Sequence, residues 1–399
     1  MIFNKGKKIA DDVKDGKLNS SNQETDNTPK KNNSDLRKQL MKIMFIIVGI
    51  LVVFLFIILL VVIFSSGKKT YDDVEKIMKD AAVEYYKVQK GLLPQEDGEK
   101  VTVNVSTLVD SQFMKPLDEL LDDEKCSGRV EVSKVGDQIV YTPYLDCGKN
   151  YTTKELYKAV LEQKTVTSGN GLYDLNGEKV YRGEEVNNYV KLDKMLYRIV
   201  KVTADNKLLL IMNETSFDYS SVFDDRYNSD RGYNSGFNDY RLSRMFSYLD
   251  DLYNNKLDVK ILSNNDKEKL VNFDLCIGKR NENDITNTNA VECTDVLADQ
   301  MIGLLTASDY INASLDSNCM ATTDRSCQNY NYLRLKDSDW WLVTADSANT
   351  YQVFAVKSNG YIEGFNSSSR KKVRATVMLN NNVMIRSGDG TIDNPFVLK

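Results

Sequence analysis

The sequence predicts an α+β protein with a single N-terminal transmembrane helix, a small α+β domain behind it and a larger α+β domain at the C-terminal end. Three observations predict this. Residues 43–64 form a run without a charge. Beyond it, apolar residues recur first at helical and then at alternating spacing. All six cysteines, Cys126, Cys147, Cys276, Cys293, Cys319 and Cys327, lie past the run. The 399 residues leave room for two or three domains, at about 100–200 residues each. The chain contains no histidine, which removes Ser-His-Asp and Cys-His catalysis and imidazole-bound metals.

Residues 1–42 carry ten Lys/Arg against six Asp/Glu, a net charge of +4. They contain few large apolar residues and read as a disordered cytoplasmic tail. The run 43–64 is interrupted only by Gly49. At about 1.5 Å per residue it is long enough to cross a hydrocarbon core of about 30 Å. It exceeds the apolar part of a cleavable signal peptide, about 7–15 residues. The lipid bilayer is therefore the expected partner of residues 43–64. The basic tail puts the N-terminus in the cytoplasm and the rest outside the cell membrane. That remainder is acidic, which argues against nucleic acid as a partner.

Residues 70–165 read as a membrane-proximal domain. Thr70 followed by Asp73 has the form of a capping box. Val74, Ile77, Met78, Ala81, Tyr85 and Val88 then recur at helical spacing, and Gly91 and Pro94 end the helix. Val101, Val103 and Val105 alternate as a strand, and Ser106 is positioned to cap a short helix. Arg129–Ser133 and Gln138–Leu145 read as two strands joined at Gly136-Asp137. With a two-residue loop there, Val135 faces Gln138, and nine steps outward Cys126 faces Cys147. That is a non-hydrogen-bonded pair, with Cα atoms about 4.5 Å apart, at the short edge of disulfide geometry. Local spacing suggests two further bonds, 276–293 and 319–327, as suits an oxidising space.

A long hydrophobic helix followed by a small disulfide-bonded sheet resembles type IV pilins and pseudopilins over roughly residues 41–150. The run opens Met41-Lys42-Ile43-Met44-Phe45-Ile46-Ile47. It lacks the Gly cleavage site and the Glu five residues into the run that a prepilin carries.

Residues 171–399 form the distal domain, after a turn cluster at 165–171. Leu196–Val202 and Leu208–Met212 flank Asp205-Asn206 as a hairpin. Asp239–Tyr253 reads as a helix, and Lys267–Phe273 as a second, short one. The end is β-rich: Trp341–Thr344, Gln352–Val356, Tyr361–Glu363 and Lys372–Leu379. Here the chain resembles bacterial surface modules of unknown function with the C-type-lectin-like, sulfatase-modifying-factor-like fold. The matching pieces are Gly303-Leu304-Leu305-Thr306, Tyr332-Leu333-Arg334, Trp340-Trp341-Leu342-Val343-Thr344, Val356-Lys357-Ser358-Asn359-Gly360-Tyr361-Ile362, Val373-Arg374-Ala375 and the tail from Ser387 to Phe396. Tyr332 and Ala375 stand where the family often has Trp and Pro. The resemblance implies a binding fold and no catalytic site of its own. Enzymes of that fold hold copper on a cysteine pair. The cysteines here show no such pair, so neither metal nor other cofactor is expected.

The functional expectation is an extracytoplasmic adhesion or ligand-binding protein that recognises a glycan, peptide or protein. The alternative is a structural subunit of a pilus-like or envelope assembly. The loop from Phe217 to Tyr240 holds seven aromatics and eight Asp or Asn, with Arg226 and Arg231. Rings that stack beside groups that hydrogen-bond suit a polyol or peptide. Tyr227 and Tyr233, flanked by Arg, Gly or Asn, are the residues expected to be exposed. Trp340 is a candidate stacking platform, with core placement of both tryptophans as the competing reading. Arg334 and Arg374 lie in or beside apolar strands, where each grips a ligand carboxylate or pairs with a buried acid.

Overall fold

The computed structural model describes residues 68–123, 125–215, 221–286 and 288–399, with seven positions between 41 and 50. Nearly all of the tail 1–42, most of the run 43–64, and Phe217 and Tyr219 lie outside the described residues. The chain divides into two compact units at Gly67. In the first, the described positions are helical and exposed.

The expected class, α+β headed by a transmembrane helix, is corrected. The described residues are mainly sheet, and no helix among them is long and apolar enough to cross a membrane. The longest, α1 (Tyr71–Val88), is amphipathic, with Asp72, Asp73 and Lys87 at its ends. Much of the additional sheet comes from short, polar strands between 171 and 192, where alternation is too brief to register as a periodic signal.

From Lys68 to Thr153 one helix lies on one sheet. Thr70 caps α1 reciprocally with Asp73, as the capping box requires. The helix buries Val74, Met78, Ala81, Ala82 and Tyr86. They pack on the antiparallel sheet β1 (Lys100–Asn104), β2 (Ser127–Val135) and β3 (Gln138–Asp146), in the order β1-β2-β3. The short helices α2 (Val105–Asp110) and α3 (Leu117–Leu120) close the edge of this core. Val105 begins α2, with Asn104 and not Ser106 as its N-cap. The β2–β3 register is the one the turn dictates: Val135 faces Gln138 and Val130 faces Pro143. Cys126 and Cys147 are bonded just beyond it, with Cα atoms 4.2 Å apart.

The larger core begins at β4 (Lys154–Glu155) and α4 (Leu156–Leu161), inside the range 70–165. Leu156, Ala159 and Val160 of α4 are buried in it. Next come β5 (Gly171–Leu175), β6 (Glu178–Arg182), β7 (Tyr189–Leu192), β8 (Met195–Val202), β9 (Leu208–Met212) and β10 (Ser221–Val222). The helix α5 (Arg244–Tyr253) is capped by Ser243, so it starts later than Asp239. The helix expected over 267–273 is only one turn, α6 (Asn264–Lys267), and Phe273 instead opens β11 (Phe273–Cys276). β12 (Val296–Gln300) pairs with β11, and Cys276 bonds Cys293 beside them. α7 (Ala307–Ala313) follows a second reciprocal cap, Thr306 with Asp309. Cys319 and Cys327 form the third bond.

The last strands are β13 (Trp340–Ala345), β14 (Gln352–Val356), β15 (Ile362–Asn366), β16 (Arg370–Lys371), β17 (Thr376–Leu379), β18 (Met384–Ser387) and β19 (Phe396–Leu398). The main sheet runs β17-β9-β8-β7-β19-β18-β4, with β6 also on β8 and β5 on β6. The C-terminal β19 inserts parallel to β7 and antiparallel to β18. A second antiparallel sheet, β13-β14-β15, completes the core, and every residue of β13 is buried.

The two cores meet at a polar seam. Glu75 of α1 is 2% exposed. Its carboxylate accepts from Thr153 Oγ1 and from Tyr151 OH, the latter at 2.8 Å, and is paired with Lys399. Tyr144 OH donates to Glu155 Oε1 at 3.0 Å, and burial pushes this phenol far above its ordinary value. Between these contacts β18 pairs with β4, Met384 facing Glu155.

Candidate functional site

The described part of the aromatic loop, 221–240, is tied down from beneath. Phe223 and Tyr240 are buried, and Phe223 meets Trp341 edge-on with ring centroids 5.8 Å apart. Asp224 is fully buried and accepts from Arg226 Nε at 2.9 Å and from the amide of Phe237 at 3.2 Å. Asn228, also buried, donates to the Gly236 carbonyl at 2.8 Å. A tight turn follows, in which Gly232 N–H donates to the Asn228 carbonyl at 3.0 Å. Gly236 has φ +77°, and a Cβ there would lie 1.9 Å from the Asp224 carbonyl oxygen, so glycine is required. Asn238 Nδ2 lies within hydrogen-bond distance of three carbonyls, Asp346 at 3.0 Å, Asn349 at 2.8 Å and Gln352 at 3.0 Å, which joins the loop to the β13–β14 connection.

On this base the loop presents two tyrosines to solvent, Tyr227 at 60% and Tyr233 at 45% exposure. Arg231 links Tyr233 to a third ring: its guanidinium carbon lies 5.2 Å from the Tyr233 centroid and 4.5 Å from that of Tyr351. It also donates to Tyr233 OH, and that bond raises the guanidinium pKa. Tyr351 was not singled out from the sequence. Its only local signal is its place at the end of the Asn349-Thr350 turn, which a long-range contact brings under Arg231. Arg226 is different: it is bonded to Asp224 and donates to the Leu242 carbonyl at 2.6 Å, so it anchors the loop.

Trp340 and Arg374 are not at a ligand face, and this corrects their assignment. Both are 0% exposed. Alternation places one face of a strand outward only when nothing covers it. β13 is covered on both faces, so Trp340 and Trp341 are both core. Arg374 does not face solvent, and it pairs with no acid among the described residues. It donates to the carbonyls of Leu333 at 2.7 Å, Met212 at 2.9 Å and Asn213 at 3.2 Å, and stands 4.9 Å from the Trp340 ring centroid.

All six cysteines are bonded in the three sequential pairs. Asp123 lies within 4.8 Å of Cys126 and Cys147, the one cluster of potential metal ligands among the described residues. Its two sulfurs are joined to each other, which leaves a single carboxylate. Comparison with known protein families, with characterised proteins and with solved structures finds no match.

Proposed function

We propose that the protein is an extracytoplasmic binding protein that takes a hydroxyl-rich polymer, a glycan, on the loop that exposes Tyr227 and Tyr233, with Arg231 and Tyr351 beside Tyr233. The observation that carries this reading is the contrast within one loop. Its buried Asp224, Asn228 and Asn238 are hydrogen-bonded to the loop and to the β13–β14 connection, while two large rings stand in solvent above them. Rings held this way stack on a sugar face at little entropic cost, and Arg231 and Asp230 supply donors and acceptors beside them. Three disulfides suit an oxidising compartment. The resemblance of the distal motifs to C-type-lectin-like modules points the same way.

The test is binding of the full chain to a glycan panel and to purified cell-wall polysaccharide, beside the Tyr227→Ala/Tyr233→Ala variant. Loss of both rings is expected to weaken binding about tenfold or more, at about 0.5–1.5 kcal/mol per aromatic contact beyond area burial. Stability should change by no more than about 0.5 kcal/mol, as for surface sites. Unchanged binding, or an unfolded variant, makes the loop scaffold and defeats the proposal.

A further inference from the structure

A second, separate feature lies where β7 and β8 approach the Tyr332-Leu333-Arg334 segment. A cleft of about 580 Å3 opens there, lined by Tyr189, Arg198, Asn213, Tyr332 and Arg334, with three acids, Glu184, Glu214 and Asp337, and one base, Lys336, exposed around it. Its size lies within the range of small-ligand sites, about 300–1,000 Å3.

The polar groups of this cleft do not balance. Arg198 is 5% exposed, yet no carboxylate among the described residues pairs with it. Its partners are neutral: Asn188 Oδ1, Tyr189 OH at 2.8 Å and, at 3.4 Å, the Val186 carbonyl. Three of its five N–H donors are used, and two remain. The guanidinium is held in place between two rings, 3.7 Å from the Tyr189 centroid and 4.8 Å from that of Tyr332. Arg374, on which the charge of Arg198 acts, is fully buried and likewise pairs with no acid among the described residues. Burial and the charge of Arg198 push Arg374 down to about 9. Buried charges are ordinarily paired, and here neither of two neighbouring buried cations is paired with an anion among the described residues. Two further donors lie enclosed in its wall: Tyr332 OH and Arg334 Nε are closed to solvent and have no hydrogen-bond partner among the described residues. Tyr332 itself is 6% exposed. The remaining Arg334 donors make no side-chain hydrogen bond or ion pair among the described residues.

We propose that this cleft binds a small zwitterion, an amino acid or short peptide, with its carboxylate on Arg198, Tyr332 and Arg334 and its ammonium toward the exposed acids Glu184, Glu214 and Asp337. A planar carboxylate matches the guanidinium fork and accepts the phenolic O–H as well. Three exposed acids against the single Lys336 disfavour a phosphate, whose second charge they would repel, and favour a ligand with a cationic end. The site shares no residue with the tyrosine face, so it stands or falls independently of the glycan reading.

The experiment is titration calorimetry of the full chain with Ala-Ala, Ala-Glu, Ala-Lys and Ala-Phe, each as free acid and as C-terminal amide, and with inorganic phosphate. At least one free acid is expected to bind saturably, its amide to bind at least tenfold more weakly, and phosphate not to compete. Arg334→Gln should abolish that binding. Tyr332→Phe should weaken it about tenfold or more, the worth of a hydrogen bond to a charged group. The same variant should leave the melting temperature unchanged or raised, because the hydroxyl it removes has no partner in the fold. Failure of all four free acids to bind, equal binding of acid and amide, or equal competition by phosphate overturns the proposal. So does a Tyr332→Phe variant that binds as tightly as the parent.

Discussion

The region from Lys68 to Thr153 and the region from Lys154 to Lys399 solve the same problem by different means. The smaller is organised by neighbours in the chain: a capped helix, a two-residue hairpin and a disulfide across the hairpin's open end. The larger is organised by distant partners. β9 pairs with β17, and β7 receives the C-terminal β19. Its centre is β13, buried on both faces. Local organisation can be read from spacing. Organisation at a distance depends on which remote strand arrives, and a spacing argument does not contain that information.

Alkali should have the largest effect, and it should reach both regions. Tyr181, Tyr197, Tyr240, Tyr310 and Tyr332 in the larger region have phenols that burial pushes far above their ordinary value of 10, and so do Tyr144 and Tyr151 in the smaller. A raised folded pKa contributes stability that is fully present below pH 10 and is lost as pH rises beyond it. Each such phenol costs about 1.4 kcal/mol per pH unit above its unfolded value. Arg374, pushed down to about 9, and Arg182 and Arg198, also lowered by burial, have the opposite sign, but they are three groups against seven. With no histidine, stability should be nearly flat from pH 6 to about 10 and then fall steeply. Phenolate absorbance and hydrogen exchange followed against pH check this. Smooth ionisation of all the tyrosines near pH 10 with the fold intact refutes it.

Trp340→Ala should come next, at about 3–5 kcal/mol, because the ring is fully enclosed. Denaturant titration measures the loss, which falls on the larger region. A variant as stable as the parent shows that the ring is not in the core.

The Cys126→Ala/Cys147→Ala pair should cost roughly 3 kcal/mol, the loop-closure value for a 21-residue separation. Here hydrogen-exchange protection should fall first in β2 and β3. Equal loss across the larger sheet would deny the smaller region its local character.

Glu75→Gln tests the seam between the regions and should cost about 1–3 kcal/mol. The amide keeps the size but loses the charge that faces Lys399 and one of the acceptor oxygens used by Thr153 and Tyr151. An unaffected melting curve means the two cores are coupled through β4 and β18 alone.

How much of the candidate site was legible follows the same division. Tyr227 and Tyr233 lie between small and polar neighbours, and both prove exposed. Arg226 has the same kind of neighbours, yet Asp224, two residues away and fully buried, claims it. Tyr351 joins the face only because Asn238 ties the loop to the β13–β14 connection. Nothing within a few residues of Tyr351 announces that.

The sequence by itself determined the cap at Thr70, the β2–β3 register and all three cysteine pairs. Each is set within about two dozen residues by turn geometry and loop length, and short loops leave few alternatives. Only the tertiary structure decided that the described chain is mainly sheet, that Trp340 and Arg374 are core, and that Arg198, Tyr332 and Arg334 share a cleft. Burial is a property of what covers a residue. At β13 the covering chain is remote in sequence: the loop residue Phe223 lies against Trp341, and Arg374 against Trp340. Contacts closed over such separations come from the packing of the whole core, and no local period encodes them.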